Sequence, residues 1–300
     1  MSEQKELLFS IVVPSYNRAN LIMETLESVF AQTYPHYEIL VVDNCSTDNT
    51  QEILQQLVDQ GKIRYIRNER NFERAYSRNV GMANAKGDYL TLLDSDDFIY
   101  PDALKDANDF IHANPDCKVF QFKSDVVNDK REVVYKTRYP SLKNQYKALC
   151  SGNFMSAIGG YIHRDLYTKY KFNEDPKMIG AEDYEFWFQI FARYKVSRID
   201  KINAGAREHP NRSVHTGVYE HLEYQRNKMM DIIREDPLLH EKFGKYSGRL
   251  YASYLLQEIF VHKRNYSVSK RLGIIINAAK NDFSILFTKR YLAILINIFR

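Results

Sequence analysis

The chain has 300 residues, 44% of them hydrophobic, which is enough for one large domain or for one domain plus an appendage. Its net charge of +4 is uneven, because residues 263–300 hold eight Lys or Arg and one acid, and nucleic acid is therefore not expected as a partner. Three cysteines (Cys45, Cys117 and Cys150) are too few and too scattered for a disulfide framework or a zinc site, which predicts a cytoplasmic protein. Neither a secretory signal nor the ~20 apolar residues of a spanning helix is predicted.

The first hundred residues alternate between strand-like and helix-like segments. Short runs rich in β-branched residues predict strands at 9–14, 37–43, 63–68 and 89–94. Apolar residues at helical spacing predict a helix at 22–30, a second helix with Ser46 as its N-cap, and a third at 73–85. This βαβαβαβ order predicts an α/β fold, a mostly parallel sheet flanked by helices with right-handed crossovers.

Polar residues follow three of the four predicted strands. They are 15–18 after the first strand, 43–44 after the second and 94–97 after the fourth. In parallel sheets the carboxyl ends of the strands lie at one edge, and ligands bind beyond that edge. The three polar clusters are therefore expected to meet at a single site.

The pattern changes after Pro101. A helix is predicted at 102–113, an antiparallel strand pair at 118–127 and 132–138, a loop-rich stretch at 140–160, and then a strand, a helix and a strand at 160–164, 182–194 and 196–200. From about residue 216 the chain has helical spacing. We expect a catalytic domain at 1–215, with a nucleotide-binding half at 1–101 and an acceptor half at 102–215, followed by a helical C-terminal region at 216–300.

The stretch LTLLDSDDF ends a buried strand in three acids, Asp94, Asp96 and Asp97. Carboxylates this close raise one another's pKa unless a cation or hydrogen-bond donors compensate them. One interpretation is a site for Mg²⁺ or Mn²⁺, which prefer oxygen ligands. The alternative is a solvated turn with an aspartate cap on the next helix.

Two further residues at this edge have two interpretations each. Asp43 either accepts a hydrogen bond from a ligand or belongs to a turn, and Arg78 either compensates the acids and binds a ligand or is solvated on its helix. No GxGxxG, GxxxxGK[ST], GxSxG or HExxH motif is present, so the remaining candidates are acids, arginines and histidines.

Glu182 and Asp183 begin a predicted helix that is rich in large apolar residues around Trp187. Acids in a first turn favour the helix dipole, and a carboxylate held rigidly there can also act as a general base. In the later loop, His209 is either structural or a contact for a metal or diphosphate. Arg207 is a natural diphosphate partner, because a guanidinium binds two oxygens at once.

Four motifs occur in order: FSIVVPSYNRANLIMETLESVFAQTY, EILVVDNCSTDNT, NFERAYSRNVGMANAKGDYLTLLDSDDFIYPDAL and GAEDYEFWFQIF. With them, residues 7–215 resemble family 2 of the inverting glycosyltransferases, whose catalytic domain has the GT-A fold. The resemblance implies that Pro14 to Tyr16 and Asp43 form the pocket for the base, with Asp43 accepting from the uracil ring NH. It implies that Arg78 faces a uracil carbonyl.

The resemblance also assigns the DxD motif, Asp94-Ser95-Asp96. Asp94 would contact the ribose, Ser95 would lie in the donor site, and Asp96 would bind a divalent metal, Mn²⁺ or Mg²⁺, that bridges the diphosphate. Asp97 would support them. Family members often have Asp and Gly where this chain has Asn44 and Cys45, so the motif leaves the identity of the base open.

In the later motifs, Asp183 resembles the catalytic base and Glu182 a contact for donor or acceptor. Arg207 and His209 resemble a loop that closes on the diphosphate, with His209 as a second candidate metal ligand. The function implied is metal-assisted transfer of a hexosyl or N-acetylhexosaminyl group from a UDP-sugar to a glycan or lipid-linked acceptor in bacterial-type surface polysaccharide synthesis. The alternatives are a non-catalytic nucleotide-sugar-binding or assembly module and a nucleotidyltransferase.

The end of the chain predicts an amphipathic helix, with Leu292, Leu295, Ile296 and Phe299 on one face and basic residues nearby. Such a helix either packs on the catalytic domain or on a second subunit of a homodimer, or lies on an anionic membrane. The membrane interpretation places the protein peripherally on the inner face of the plasma membrane.

Overall fold

A computed structural model describes residues 6–155, 158–209, 212, 221–262 and 265–296. The chain forms two compact units. The first, here called the sheet unit, comprises Met1–Tyr139, Met155–Phe186 and Tyr194–Thr216. The second, the helical unit, comprises Pro140–Phe154, Trp187–Arg193 and Gly217–Arg300. The domain limits expected at 215 and 216 stay a prediction.

The described residues form these strands: β1 Phe9–Ser15, β2 Tyr37–Asp43, β3 Arg64–Arg67, β4 Tyr89–Leu92, β5 Phe98–Ile99, β6 Val119–Val127, β7 Val133–Tyr135, β8 Gly160–His163 and β9 Val196–Arg207. They form these helices: α1 Ile22–Phe30, α2 Thr50–Asp59, α3 Glu73–Asn84, α4 Ala103–Ala113, α5 Gln145–Cys150, α6 Arg164–Tyr167, α7 Glu182–Arg193, α8 Leu222–Glu235, α9 Pro237–Phe243, α10 Ser247–His262, α11 Val268–Asn281 and α12 Lys289–Ile296.

One sheet with the order β3-β2-β1-β4-β8-β6-β9-β5 forms the centre of the sheet unit, and β7 pairs with β6 beside it. The first four strands in this order are parallel, so their carboxyl ends share one edge. Strand β8 runs antiparallel to β4 and β6, and β6 is parallel to β9. The predicted α/β fold, a mostly parallel sheet flanked by helices and followed by a helical C-terminal region, is confirmed.

Strands β1 and β2 form because both of their faces are covered. All seven residues of β1 are buried, as is typical of strands in a parallel sheet. On one face Phe9 and Ile11 pack in a core with Leu26 of α1. On the other face Gly81 lets α3 approach closely, since a Cβ on Gly81 would lie 2.2 Å from Cγ1 of Val12. Packing on both faces of β1 thus fixes the position of the carboxyl edge of the sheet.

One local prediction is wrong. Ser46 does not cap the second helix, which begins at Thr50 after Asn49. The Ser46 side chain instead donates to Asp43 and accepts from the Asn17 backbone N–H at 2.9 Å, because the chain between β2 and α2 folds back on the carboxyl edge. Within the predicted loop-rich stretch at 140–160, Gln145–Cys150 form the short helix α5.

The strand expected at 196–200 continues to Arg207, because β9 pairs with β6 along its length and with β5 near its end. This extension brings Arg207 to the edge of the sheet where the acids lie, which a five-residue strand would not do.

The helical unit has its own core, in which Leu256 and Ile259 of α10 pack with Ile275 of α11. No helix in the described part of the chain is both long and apolar enough to cross a membrane. The start of the helical region near 216, and Phe299 of the predicted amphipathic helix, lie outside the described residues.

Candidate active site

An open cleft of about 210 Å³ lies at the carboxyl edge of the sheet. It is lined at the ends of three strands by Pro14 to Tyr16, by Asn44 and by Asp94 to Asp96, and by Glu73 and Arg74 from the first turn of α3. The prediction that the three polar clusters meet at one edge is confirmed. Pro14, Tyr16, Asp94, Ser95 and Asp96 thus share one cavity.

Arg78 lies behind this lining and joins two acids. Its guanidinium donates to Oδ1 of Asp94 at 3.2 Å and to Oε1 of Glu182 at 3.1 Å, and it lies 5.5 Å from the ring of Phe172. Only 3% of Arg78 and 2% of Glu182 are exposed. The contact of Arg78 with a uracil carbonyl stays a prediction, and in this structure its guanidinium links Asp94, two residues after β4, to the start of α7.

Asp183 follows Glu182 in the first turn of α7 and is half-buried. Burial, followed by the neighbouring charge of Glu182, raises the pKa of Asp183 to about 7, while Arg78 and Arg74 lower it. A carboxylate with a pKa near neutrality can take a proton at physiological pH and is not already neutralised by a tight ion pair. This is the property that a general base needs.

Asp96 and His209, the two candidate metal ligands, are in contact. Nε2 of His209 lies 3.0 Å from Oδ2 of Asp96, and Nη2 of Arg18 lies 3.4 Å from the same oxygen. Across the described residues, no three His, Cys, Asp or Glu side chains gather closely enough to hold a metal by themselves. A carboxylate oxygen beside an imidazole nitrogen nevertheless fits Mn²⁺ or Mg²⁺ when substrate phosphates complete the coordination.

Asp97 connects the acidic stretch, Asp94 to Asp97, to the end of β9. Its Oδ1 accepts from the backbone N–H of Arg207 at 2.9 Å, and its carbonyl accepts from Oγ1 of Thr25 at 2.8 Å. Burial, with the nearby charges of Asp96 and Asp94, holds the pKa of Asp97 well above its usual range. The Arg207 side chain lies against Glu24, with Nη1 2.7 Å from Oε2, and its contact with the donor stays a prediction.

Asp43 is fully buried and its two carboxylate oxygens are already occupied. Oδ1 accepts from the backbone N–H and hydroxyl of Ser46, and Oδ2 accepts from Tyr65 at 2.6 Å and Arg67 at 3.0 Å. It is Asn44, the next residue, that lines the cleft. The contact of Asp43 with the base stays a prediction, and a ligand would have to displace one of these partners.

Two residues of the cleft lining, Asn44 and Arg74, had no role assigned from the sequence, although Asn44 belongs to the polar cluster predicted at this edge. Asn44 donates to Oδ1 of Asn71 at 2.6 Å and accepts from Asn68 at 3.0 Å. Arg74 lies one turn before Arg78 on α3, and that spacing of four residues could have indicated a second cation at the same edge. The hydrogen bond between Asn44 and Asn71 could not be predicted from local sequence, because the two residues come from different loops.

The chain matches the family model for Glycosyl transferase family 2 over residues 10–175, more than half of its length. TuaG of Bacillus subtilis, whose name refers to teichuronic acid biosynthesis, is 41% identical over 106 residues, which cover 35% of this chain and 42% of TuaG. An uncharacterized glycosyltransferase of Rickettsia felis is 30% identical over 204 residues, 64% of this chain and 31% of the relative. The matches thus span about a third to two fifths of these relatives.

Solved structures show the same fold. The crystal structure of S. aureus TarS 1-349 in complex with UDP-GlcNAc has a TM-score of 0.67 at 23% identity and covers 91% of this chain and 80% of that chain. The mannosyltransferase PcManGT from Pyrobaculum calidifontis, in complex with GDP-Man and Mn²⁺, has a TM-score of 0.61 at 18% identity and covers 98% and 84%. From its fold, its motifs and the family match, the chain belongs to glycosyl transferase family 2.

Proposed function

We propose that the protein is an inverting glycosyltransferase that moves a sugar from a UDP-sugar to a hydroxyl of a glycan or lipid-linked acceptor in bacterial-type surface polysaccharide synthesis. The observation on which this rests is the pair of acids Glu182 and Asp183 at the start of α7, where Arg78 joins Glu182 to Asp94 in the cleft lining. Burial, which raises the pKa of Asp183 to about 7, supports its use as a base. A binding module has no need of such a carboxylate. The similarity to TuaG, whose name refers to teichuronic acid biosynthesis, supports a role in surface polysaccharide synthesis.

The residues have separate tasks in this reaction. Asp183 accepts the proton of the acceptor hydroxyl, whose oxygen attacks the anomeric carbon on the face opposite the departing nucleoside diphosphate. A direct displacement of this kind inverts the anomeric configuration. Glu182 is held by Arg78 and by the Gly180 backbone N–H at 2.6 Å, so it keeps the start of α7 in place beside the reacting groups.

The donor is placed across the cleft. Pro14, Tyr16 and Asp43 bind the base. Asn44 also belongs to this base pocket, because it lines the cleft. Asp94 contacts the ribose, and Ser95 and Arg207 contact the donor. Asp96 and His209 would hold Mn²⁺ or Mg²⁺. The bound cation would neutralise charge that develops on the leaving diphosphate. TarS was solved with UDP-GlcNAc and PcManGT with GDP-Man and Mn²⁺, which supports a nucleotide-sugar donor with a divalent metal.

The test is a panel of nucleotide sugars, each with Mn²⁺ or Mg²⁺ and a set of glycan acceptors, in which release of nucleoside diphosphate is measured. We expect release with at least one UDP-sugar, increased by acceptor. Donor binding by calorimetry without release from any donor would instead indicate a binding module. Release of pyrophosphate from a nucleoside triphosphate and a sugar phosphate would indicate a nucleotidyltransferase.

Asp96→Asn should abolish most of the metal dependence of donor binding. The neutral amide loses a charge-assisted contact of about 1.5–3 kcal/mol, which corresponds to a loss of affinity of about 10- to 100-fold. Calorimetric titration of UDP-GlcNAc in MnCl₂ and in EDTA measures donor affinity with and without the metal. Asp109→Asn, an exposed residue on α4 that pairs with Lys105, is the matched control. A variant that keeps the full difference between MnCl₂ and EDTA would contradict the assignment of Asp96.

The helical unit presents apolar side chains for a membrane surface. Phe283 and Phe287 are 69% and 77% exposed, and their rings lie 6.0 Å apart. Residues 263–300 also carry eight basic residues and one acid, which complements anionic lipid. This surface would hold the enzyme on the inner leaflet near a lipid-linked acceptor.

Replacing Phe283 and Phe287 together with serine should lower sedimentation with vesicles of phosphatidylglycerol and phosphatidylcholine by about tenfold or more, since each buried phenylalanine contributes about 1.5–3 kcal/mol. Ile202→Ser, an exposed apolar residue of the sheet unit, should sediment like the wild type. If the double variant binds vesicles normally and instead changes a dimer to a monomer in light scattering, the surface contacts a second copy of the chain.

A further inference from the structure

A β-hairpin extends the sheet next to the acidic stretch. Strand β7 pairs only with β6 in the described sheet, and the turn between them spans residues 128–132. At the base of this hairpin Val127 pairs with Arg207, and the Glu208 backbone N–H donates to the carbonyl of Val127 at 2.7 Å. The hairpin therefore emerges beside the segment that contains Arg207 and His209.

The hairpin turn also contacts the residue that follows the acids Asp94 to Asp97. The guanidinium of Arg131 lies 4.8 Å from the ring centre of Phe98, the residue after Asp97. Asp97 in turn accepts from the backbone of Arg207, and Asp96 contacts His209. Two separate connections, one through β9 and one through the turn, thus hold the hairpin beside the segment whose Asp94 to Asp96 line the cleft.

Residues 128–138, here called the basic hairpin, expose apolar and cationic side chains, and those of β7 alternate between its two faces. Val133, Val134 and Tyr135 are 47%, 53% and 57% exposed. The segment holds four basic residues and two acids. Lys130, Lys136 and Arg138 are exposed, and in the part of the chain that the structure describes none of these three cations has a carboxylate within 4.0 Å.

Protection of a sheet edge against aggregation does not account for this composition. Charged residues at edge strands prevent pairing with other strands, but such edges avoid three consecutive exposed apolar residues. A tyrosine ring offers an apolar face to the C–H side of a sugar ring, and lysine and arginine bind carboxylate or phosphate oxygens. Apolar side chains between uncompensated cations fit a glycan that carries negative charges.

We propose that the basic hairpin, residues 128–138, binds the acceptor, and that this acceptor is an anionic glycan with carboxylate or phosphate groups along its chain. This inference rests on the proposed function and names its acceptor class. The hairpin holds the anionic chain next to the cleft, so that successive units of the chain reach the site. Binding requires no residue of the donor site.

The test compares wild type with the variant Lys130→Glu, Lys136→Glu, Arg138→Glu in thermophoresis. The probes are oligogalacturonate as the carboxylate source, a glycerol phosphate polymer as the phosphate source, and neutral dextran oligomers. We expect wild type to bind at least one anionic probe more tightly than dextran, and the triple variant to lose at least about tenfold in affinity for it. Donor affinity and melting temperature should stay unchanged.

The matched control carries the same change of charge at the opposite edge of the sheet, Lys62→Glu, Lys86→Glu and Lys169→Glu, all exposed residues. It should bind the anionic probe like the wild type. Equal losses in the two variants, or equal binding of dextran and both anionic probes, would overturn the proposal. Equally tight binding of a single-stranded oligonucleotide would overturn it as well, because the surface would then bind polyanions in general.

The two proposals can fail separately. If the enzyme releases nucleoside diphosphate with acceptor and the triple variant keeps the wild-type KM for an anionic acceptor, the hairpin proposal fails and the proposed function stands. If no donor is turned over while the triple variant alone loses the anionic probe, the function fails and the hairpin remains a glycan-binding surface.

Discussion

Replacing Asp183 with asparagine should lower the rate of sugar transfer by about 10²- to 10⁴-fold while donor affinity stays nearly unchanged. The amide has almost the shape of the carboxylate but cannot accept the acceptor's proton at neutral pH. The pKa of Asp183, about 7, places the wild-type group where it is substantially ionised at physiological pH. Initial rates of nucleoside diphosphate release with acceptor, and calorimetric donor binding, separate the two effects.

Two controls sharpen this measurement. Asp109→Asn makes the same chemical change at an exposed side chain of α4 and should keep the wild-type rate. A circular dichroism spectrum and melting temperature like those of the wild type show that Asp183→Asn folds. Near-normal turnover in the Asp183→Asn enzyme would remove Asp183 from the reaction, even if the family membership and the donor site stand.

Arg78→Ala should destabilise the protein by about 3–5 kcal/mol, the usual cost of removing one partner from a buried ion pair. The loss would leave Glu182 and Asp94 without the guanidinium that lies 3.1 and 3.2 Å from them. Arg78 also lowers the pKa of Asp183, so its removal should move the acidic limb of the rate-pH profile to higher pH. Urea denaturation measures the first effect, and kcat from pH 5 to 9 the second.

Arg74 provides the matched control for Arg78. Its Nε lies 3.9 Å from Glu182 and its side chain is 36% exposed, so the ion pair is screened by solvent. We expect Arg74→Ala to cost less than about 1 kcal/mol. Arg78→Lys retains the charge and should restore part of the stability and most of the pH profile. Equal destabilisation by the two alanine variants would contradict a special role for the Arg78 bridge.

The raised pKa of Asp183 has opposite consequences for activity and stability. An unfolded aspartate titrates near 3.8, while the folded group titrates near 7, so between these values the folded state holds the proton more tightly. Its contribution to stability therefore decreases as pH rises from about 4 to 7. The ionised form needed for base catalysis increases over the same range. The site is thus most stable where it is least active.

The sequence allowed prediction of what depends on local pattern. Strand and helix alternation placed Tyr16, Asn44 and Asp96 at one edge, because parallel strands must end together. The DSDD stretch and the acids at the start of α7 were visible as departures from an apolar pattern. Family motifs then suggested roles for each position.

Contacts between distant parts of the chain could not be predicted in this way. Arg78 and Glu182 are 104 residues apart, and periodicity contains no information about which acid an arginine will meet. The occupied carboxylate of Asp43 depends on Tyr65 and Arg67 of β3, whose own pattern gave no functional signal. The length of β9 was underestimated because its polar middle breaks the alternation, although pairing with β6 continues past the break.

The anomeric configuration of the first product tests the central claim most directly. NMR of the sugar transferred by the wild-type enzyme from a donor of known configuration reports inversion or retention at the anomeric carbon. A single displacement with Asp183 as base predicts a linkage of opposite configuration to the donor. Product with the donor's configuration would contradict the account, because retention requires a different role for the carboxylates of this site.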